Sequence, residues 1–397
     1  MAGLKINALK SNIYMGSIEG SLRQDILDIT GFTPGILPFR YLGIPLAAKR
    51  LCASDYGKLV DNISTKVSAW PRHSLSYAGK LELIRSVIQG VECFWLSILP
   101  VPNCVRDSIH AICRTFVWPT KRPPIAWNTL CKPISEGEMG LKNLKAWNRA
   151  LIAKSLWKIH VGNENLWIRW VNHNYSCFGG VWKWRRHKDA SPLIKQILDI
   201  RDELIGRLGS EEAASLCLQK CFGNKEGIAH AYQFFVGTTG NWPWKPLLSR
   251  TFILPKHRFI LWLFAHRKLR TRDRLEFIND RRCVLCKLKD ETIDHLFFDC
   301  SVTNPVWKSV RHWLDMKKIM RSPTAILGAF RRQYRGTSML TRMRITALAA
   351  TVYHVWNMRN RVMFDQEKFS CQDIVMKIKI HTYRSIPEAI EVANEYA

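Results

Sequence analysis

Three cysteines and one histidine fall within the eighteen residues CVLCKLKDETIDHLFFDC, at Cys283, Cys286, His295 and Cys300. The spacing, C-x2-C-x8-H-x4-C, suits a metal-binding turn. A two-residue gap lets both thiolates of one turn reach a single ion. A histidine and a cysteine five apart close the other side from a short helix or turn. Three Cys and one His make a closed tetrahedral site. Sulfur ligands argue against Mg2+ and Ca2+ and for Zn2+. With four protein ligands no position remains for an activated water, so the one Zn2+ expected here is structural. The competing reading is a chance grouping in a chain with twelve cysteines, and the two-residue gap argues against it.

The surroundings of this segment are basic. Between 251 and 290 there are eleven Lys/Arg and four acids, among them Lys256, Arg258, Arg267, Lys268, Arg270, Arg272 and Arg274. A metal-pinned turn beside a basic helix suits contact with a nucleic-acid backbone. A zinc element that only packs against its neighbours is the alternative. The whole chain of 397 residues repeats the bias, with 60 Lys+Arg against 32 Asp+Glu, a formal +28 and a pI of about 9.9. Such an excess favours a polyanion through local attraction and counterion release. Nucleic acid comes first, an anionic membrane surface second, and a merely solubilising charge is the bland alternative.

Other groups offer weaker signals. Trp147, Trp157, Trp167 and Trp170 interleave with Lys142, Lys145, Lys154, Lys158 and Arg169. Such a pattern can stack bases and grip phosphates, but buried packing explains most tryptophans. Lys80 follows Gly79 near a helix start, where a basic side chain opposes the helix dipole unless a phosphate joins it; an ordinary solvated lysine fits as well. Arg331, Arg332, Arg335, Arg342, Arg344, Arg359 and Arg361 lie in a stretch without an acid. They fit a polyanion-facing surface or a solvated helix face. Cys217 and Cys221 read as core. The histidines other than His295 receive no role. No G-x-S-x-G, P-loop or H-E-x-x-H motif is present.

The elements that must carry these residues read as mainly α with a small α+β N-terminal part. Residues 1–46 read as strand and turn, with LPFRYLGIPL (Leu37 to Leu46) as strand, turn and strand. A helix capped by Ser54 or Asp55 places Leu59, Ile63 and Val67 at four-residue steps. Helical patterns continue through Leu81, Ile84, Val87, Ile88 and Val91, and through Val105, Ile109, Ile112 and Phe116. Residues 121–144 read as a loop with two strand-like pieces, and 145–160 as helix. Residues 176 to about 250 read as loops around a helical middle, and as the linker region. A helix, or two, follows Pro255, and a long helix spans about 341–364. No run of about 18 apolar residues predicts a membrane span, and the N-terminal residues lack the apolar stretch of a secretory signal.

These motifs, in this order, resemble plant LINE-type (non-LTR) retrotransposon reverse transcriptases. FILPKHRFILWLFAHRKLRTRDRL, CVLC and DHLFFDC resemble their zinc-binding domain. GLKINALKSNIY (Gly3 to Tyr14) resembles the fourth palm motif, LPFRYLGIPL the primer-grip hairpin, and WPRHSLSYAGKLELIRSVIQGVECFWLSILPVP the thumb, with Lys80 at its matching basic position. VYHVWNMRNRVMF resembles the helix behind the zinc element. The resemblance implies a palm remnant at 1–46, a helical thumb-like region at 47–175, a connector at 176–240, the zinc-binding domain at 241–310 and a C-terminal helical segment at 311–397. It implies a nuclear protein.

Family polymerases hold two Mg2+ on an early palm aspartate and a later Asp-Asp pair, and this chain contains no Asp-Asp dipeptide. The expectation is therefore a catalytically incomplete remnant, not an enzyme on its own. It would bind RNA or an RNA/DNA duplex with weak sequence preference. Two further readings stay open. One is a C-terminal polymerase fragment active with a palm-containing polypeptide in trans. The other is a co-opted adaptor that binds protein.

Overall fold

The computed structural model describes residues 7, 11–16, 18, 20–41, 43–47, 51–99, 101–120, 122–162, 165–175, 180–223, 227–237, 242–275, 278–317, 321–332, 334 and 336–389. It is mainly helical with a small mixed N-terminal part. Two compact units are present. One comprises 1–70 with 94–113, and the other 71–93 with 114–397.

In the first unit, β1 (Asn12–Ile13) pairs in parallel with β2 (Thr33–Pro34), and α1 (Ser21–Thr30) lies between them in sequence. This helix was not anticipated. Leu22, Ile26 and Ile29 fall at helical spacing, yet none of its residues is buried, and Leu22 and Ile29 are exposed. The LPFRYLGIPL segment forms the expected antiparallel hairpin, β3 (Phe39–Tyr41) against β4 (Ile44–Leu46), around Gly43 at positive φ. A 3-10 turn, Ala53–Tyr56, leads into α2 (Gly57–Ala69). The anticipated cap is corrected here. Neither Ser54 nor Asp55 precedes the turn; Asp55 sits inside it and accepts the Cys52 backbone N–H at 2.7 Å, as the acidic half of a capping box. Leu59, Ile63 and Val67 point inward as their spacing requires, and Tyr56 meets Trp95 at 5.8 Å.

The second unit begins with α3 (Tyr77–Leu83), capped by Ser76. A π-helical turn, Ile84–Ile88, joins it to α4 (Gln89–Ile98), and α5 is Asn103–Val117. Residues 94–98 of α4 and 103–113 of α5 belong to the first unit. The 121–144 stretch holds no strand among its described residues. Its pieces are α6 (Trp127–Leu130) and a 3-10 turn, Ile134–Glu136, closed by Leu141 N–H to Leu130 O at 3.0 Å.

Next come α7 (Leu144–Val161), α8 (Leu166–Tyr175), α9 (Pro192–Leu208), α10 (Glu211–Phe222) and α11 (Ile228–Val236). The described part of the expected linker is not a linker in its packing. Its helices join α7 in one apolar core that contains Ala150, Leu156, Ile197, Leu198, Ala214 and Phe235. The helical middle is legible, and Ile194, Ile197, Leu198 and Leu204 on α9 fall at helical steps; spacing alone does not show that they share a core with α7. Cys221 is buried in that core and Cys217 packs on it, as read.

The chain continues with α12 (Lys245–Leu248), α13 (Pro255–Ala265), α14 (Asn304–Trp313), α15 (Pro323–Arg332), α16 (Met339–Phe364) and α17 (Cys371–Ser385). α13 ends at His266, and the basic run beyond it is not helical: Arg267 takes a φ of 54° and Arg272–Arg274 form a 3-10 turn. α16 packs on α13 and on α17, and is buried along much of its length. Among the described residues no helix is long and apolar enough to cross a membrane.

If residues 192–222 belong to the core, Leu198→Ala removes packed atoms and leaves a cavity. The expected cost is about 2–5 kcal/mol, read from the urea midpoint. A linker leucine would leave that midpoint unchanged.

Candidate functional site

Three of the four ligand candidates come from two copies of one local turn. Cys283 begins the first. Its carbonyl accepts the Lys287 N–H at 2.9 Å, and the N–H groups of Leu285 and Cys286 donate to its sulfur. Cys300 begins the second. Its carbonyl accepts the Asn304 N–H at 3.0 Å, and the N–H groups of Val302 and Thr303 donate to its sulfur. Amide donors aimed at sulfur favour thiolate, the form that binds metal. Lys287 reaches a φ of 58° to close the first turn.

His295 opens a single π-helical turn, His295–Asp299, closed by Cys300 N–H to His295 O at 2.8 Å. That wider turn accommodates ligands five residues apart, where an α-turn favours three or four. Thr292 Oγ1 accepts the His295 N–H at 3.0 Å and fixes where the turn starts.

The four ligand atoms lie within 4.8 Å of one another. Cys283 and Cys300 sulfurs are 3.9 Å apart, and Cys286 Sγ is 3.2 Å from His295 Nε2. A tetrahedral Zn2+ with Zn–S near 2.3 Å sets sulfurs roughly 3.8 Å apart, so the edges fit. Cys283, His295 and Cys300 are buried and Cys286 is half-buried. No oxygen acceptor partners either imidazole nitrogen among the described residues, and Nδ1 is buried without any partner. The Cys300 thiol is held well below the ordinary thiol range, first by the hydrogen bond from Cys283 and then by its backbone donors. The same bond and burial push Cys283 up. A pair of sulfurs sharing one proton has the electron density that a cation would take over.

Glu291 ties this turn to the helices behind it. It is fully buried, and Oε1 accepts Arg359 Nε at 3.0 Å, Arg359 Nη2 at 2.5 Å and the Arg272 N–H at 3.1 Å. Oε2 accepts the Val284 N–H, inside the C-x2-C turn, at 3.2 Å. Arg359 is 1% exposed. Sequence reasoning placed Arg359 on a polyanion-facing or solvated surface, and both alternatives are corrected. It had no signal for Glu291, whose partner lies 68 residues away.

The other arginines of that stretch are also engaged. Arg342 pairs with Glu388, Arg361 with Glu367, and Arg344 donates to Leu314 O and Asp315 O. Arg332 is exposed and donates to Gly328 O. The Arg331 side chain and Arg335 lie outside the described residues.

The basic candidates divide in the same way. Lys80 is 7% exposed, in α3, with its ammonium over the Tyr77 and Phe116 rings, and burial lowers its pKa. Lys142 lies over Trp147 at 4.2 Å, and its backbone is gripped by the Gln89 amide. Trp147 meets Tyr232 edge-on, Trp157 and Trp167 pack on the α7 core, and Trp170 is exposed. Lys256 covers Tyr353, and Arg258 is half-buried with its pKa lowered by burial. Arg267 pairs with Asp294 at 2.6 Å. Arg270 donates to Thr120 and to Arg122 O, Arg272 to Asp280 O and Arg282 O, and Arg274 to Arg267 O. Lys145, Lys154, Lys158 and Lys268 have no acid partner among the described residues.

The structure adds cations that sequence reasoning passed over. A cleft of about 330 Å3 is lined by Phe298, Asp299, Asn304, Trp307, Lys308, Arg311 and Arg321. Lys308 and Arg311 sit one turn apart on α14, directly after the Cys300 turn. These two and Arg321 have no ion pair among the described residues. The Trp307 indole N–H is buried without an acceptor. The i, i+3 spacing of Lys308 and Arg311 was the available signal.

Comparison with known proteins agrees with the metal centre. Residues 227–307 match the family described as zinc-binding in reverse transcriptase. The match spans all four ligands, and the residues fit the ion, so this centre binds Zn2+. An Arabidopsis thaliana protein named "Putative ribonuclease H protein" is 28% identical over 137 residues, 33% of this chain. The matched stretch spans only 22% of that relative's length. The two matches support a retrotransposon-related protein.

Cys283→Ser is expected to lose one zinc equivalent by elemental analysis. Glu291→Gln is expected to keep the zinc and lower stability by about 3–5 kcal/mol, because Arg359 is left as a buried charge without its partner. A denaturant midpoint unchanged in Glu291→Gln contradicts the role given to the ion pair.

Proposed function

We propose that this chain is a nucleic-acid-binding part of a non-LTR retrotransposon reverse transcriptase, with zinc as a structural ion and no polymerase activity of its own. The supporting observation is the cleft beside the zinc turn. Lys308, Arg311 and Arg321 gather there beside Asp299, without ion-pair partners among the described residues. Phosphate oxygens supply the counter-charge that these cations lack. Zinc fixes the start of α14 through Cys300, so it sets the position of Lys308 and Arg311 without touching the ligand.

Free lysines on α7 extend the cationic surface of the same unit through Lys145, Lys154 and Lys158. Contacts of this kind go to the backbone and carry little sequence preference; RNA or an RNA/DNA duplex is the substrate class that the resemblance to reverse transcriptases implies. Two-metal phosphoryl transfer needs clustered carboxylates, and no Asp-Asp pair occurs in the chain. A nuclear location belongs to the same proposal. A second reading, a fragment that completes a polymerase with a palm in trans, draws on the β3–β4 hairpin and its exposed Tyr41, the primer-grip counterpart.

Fluorescence anisotropy of the full chain with single-stranded RNA and an RNA/DNA duplex tests the proposal. Between roughly 50 and 200 mM salt, six or more phosphate contacts predict a loss of affinity of about 1000-fold. Lys308→Glu with Arg311→Glu is expected to weaken binding to both and to reduce the salt slope by about two contacts. Affinity that does not change with salt, or with the double substitution, overturns it.

A further inference from the structure

A second cluster of metal-ligating side chains lies within the helices behind the zinc turn. His257 on α13, His354 on α16 and His381 on α17 have ligand nitrogens within 4.8 Å of one another. His354 Nε2 and His381 Nδ1 are 2.9 Å apart. The His257 ring lies 5.6 Å from His354 and 4.9 Å from His381, centre to centre. His257 is fully buried, and neither of its ring nitrogens has a hydrogen-bond partner. A buried imidazole with an unsatisfied N–H costs about 1–3 kcal/mol, so this arrangement calls for an occupant.

We propose that His257, His354 and His381 form a second metal site, all nitrogen, for a divalent first-row transition ion such as Zn2+. Three imidazole nitrogens around a tetrahedral Zn2+ lie roughly 3.3 Å apart, so the observed gathering needs only small side-chain rotations to close on an ion. Imidazole suits zinc, copper and nickel, and the absence of a carboxylate argues against calcium or magnesium. Each ligand comes from a different helix, and α16 packs on both of the others, so the framework is rigid. The imidazoles are also in the right state. Burial first, then the neighbouring imidazoles and after them the nearby cations, pulls His257 to about 2 and His354 to about 3; burial and then Lys256 and Arg384 lower His381. All three are therefore neutral near pH 7 with lone pairs to give.

The cationic neighbours set the affinity. Lys256, Lys377, Arg361 and Arg384 act on the cluster. Lys256 turns its ammonium over the Tyr353 ring, at 5.4 Å, and Arg361 pairs with Glu367. The residual positive field makes this site weaker than the Cys3His centre, where thiolates neutralise the ion. Three protein ligands leave the fourth tetrahedral position to water or to an outside ligand. Zinc here would clamp α13 to α16 and α17, helices that the zinc turn meets through Phe264 on α13 and through the Glu291–Arg359 pair on α16.

Metal stoichiometry of the intact chain tests the site. Purified protein equilibrated with micromolar free Zn2+ is expected to hold two equivalents. His381→Ala, at a half-buried position near the end of α17, and His354→Gln are each expected to hold one, with unchanged helical circular dichroism. Cobalt-substituted protein is expected to show thiolate-to-metal charge transfer of equal intensity in wild type and both variants, and ligand-field absorption that falls in the variants. One equivalent in the wild type, or two retained in both histidine variants, overturns the proposal.

Discussion

A buried carboxylate with four hydrogen bonds holds this half of the molecule in register. Glu291 accepts from the C-x2-C turn, from the Arg272 backbone and twice from Arg359 on α16. Burial of such a pair costs desolvation energy, and the cost is offset only when geometry and hydrogen bonding are complete. Here they are. The zinc turn buries Ile293, Leu296, Phe297 and Phe298, and the last two rings meet Phe264 on α13 at 5.1 and 6.2 Å. The ion closes it on itself; those rings and Glu291 fix it against the helices.

That division explains where the positive charge goes. A formal +28 suggests a uniformly sticky surface, yet much of the basic run after α13 is absorbed internally. Arg267, Arg270, Arg272 and Arg274 hold loop carbonyls, a hydroxyl and carboxylates, and so build the platform for the metal turn. Lys268 in that run has no acid partner among the described residues, and the other cations without such duties lie on α7 and at the cleft beside α14. Charge count alone marks a polyanion binder, whereas hydrogen-bond partners show which side chains are free to meet one.

Local patterns were the most legible part of the sequence. The four zinc ligands lie within eighteen residues and follow a fixed coordination chemistry, so spacing alone found them. The β3–β4 hairpin and the stripe Leu59, Ile63 and Val67 followed from Gly43 and from four-residue steps. What spacing misses is partnership across the chain. Arg359 looked like one more exposed arginine until a glutamate 68 residues away occupied its guanidinium. His257, His354 and His381 belong to three helices and share no motif. α1 carries Leu22, Ile26 and Ile29 at helical spacing but buries none of them, and the helical pattern of 192–221 does not show that Ile194, Ile197, Leu198 and Leu204 share a core with α7, which is again a partnership across the chain.

The central physical claim is a closed coordination shell at Cys283, Cys286, His295 and Cys300. Zinc-edge X-ray absorption on the intact chain, loaded with a single equivalent of the ion, addresses it most directly. The account predicts three sulfurs near 2.3 Å, one nitrogen near 2.0 Å and no oxygen. A shell with fewer sulfurs, or with a water oxygen in a fourth or fifth position, contradicts a structural ion and returns the metal to chemistry.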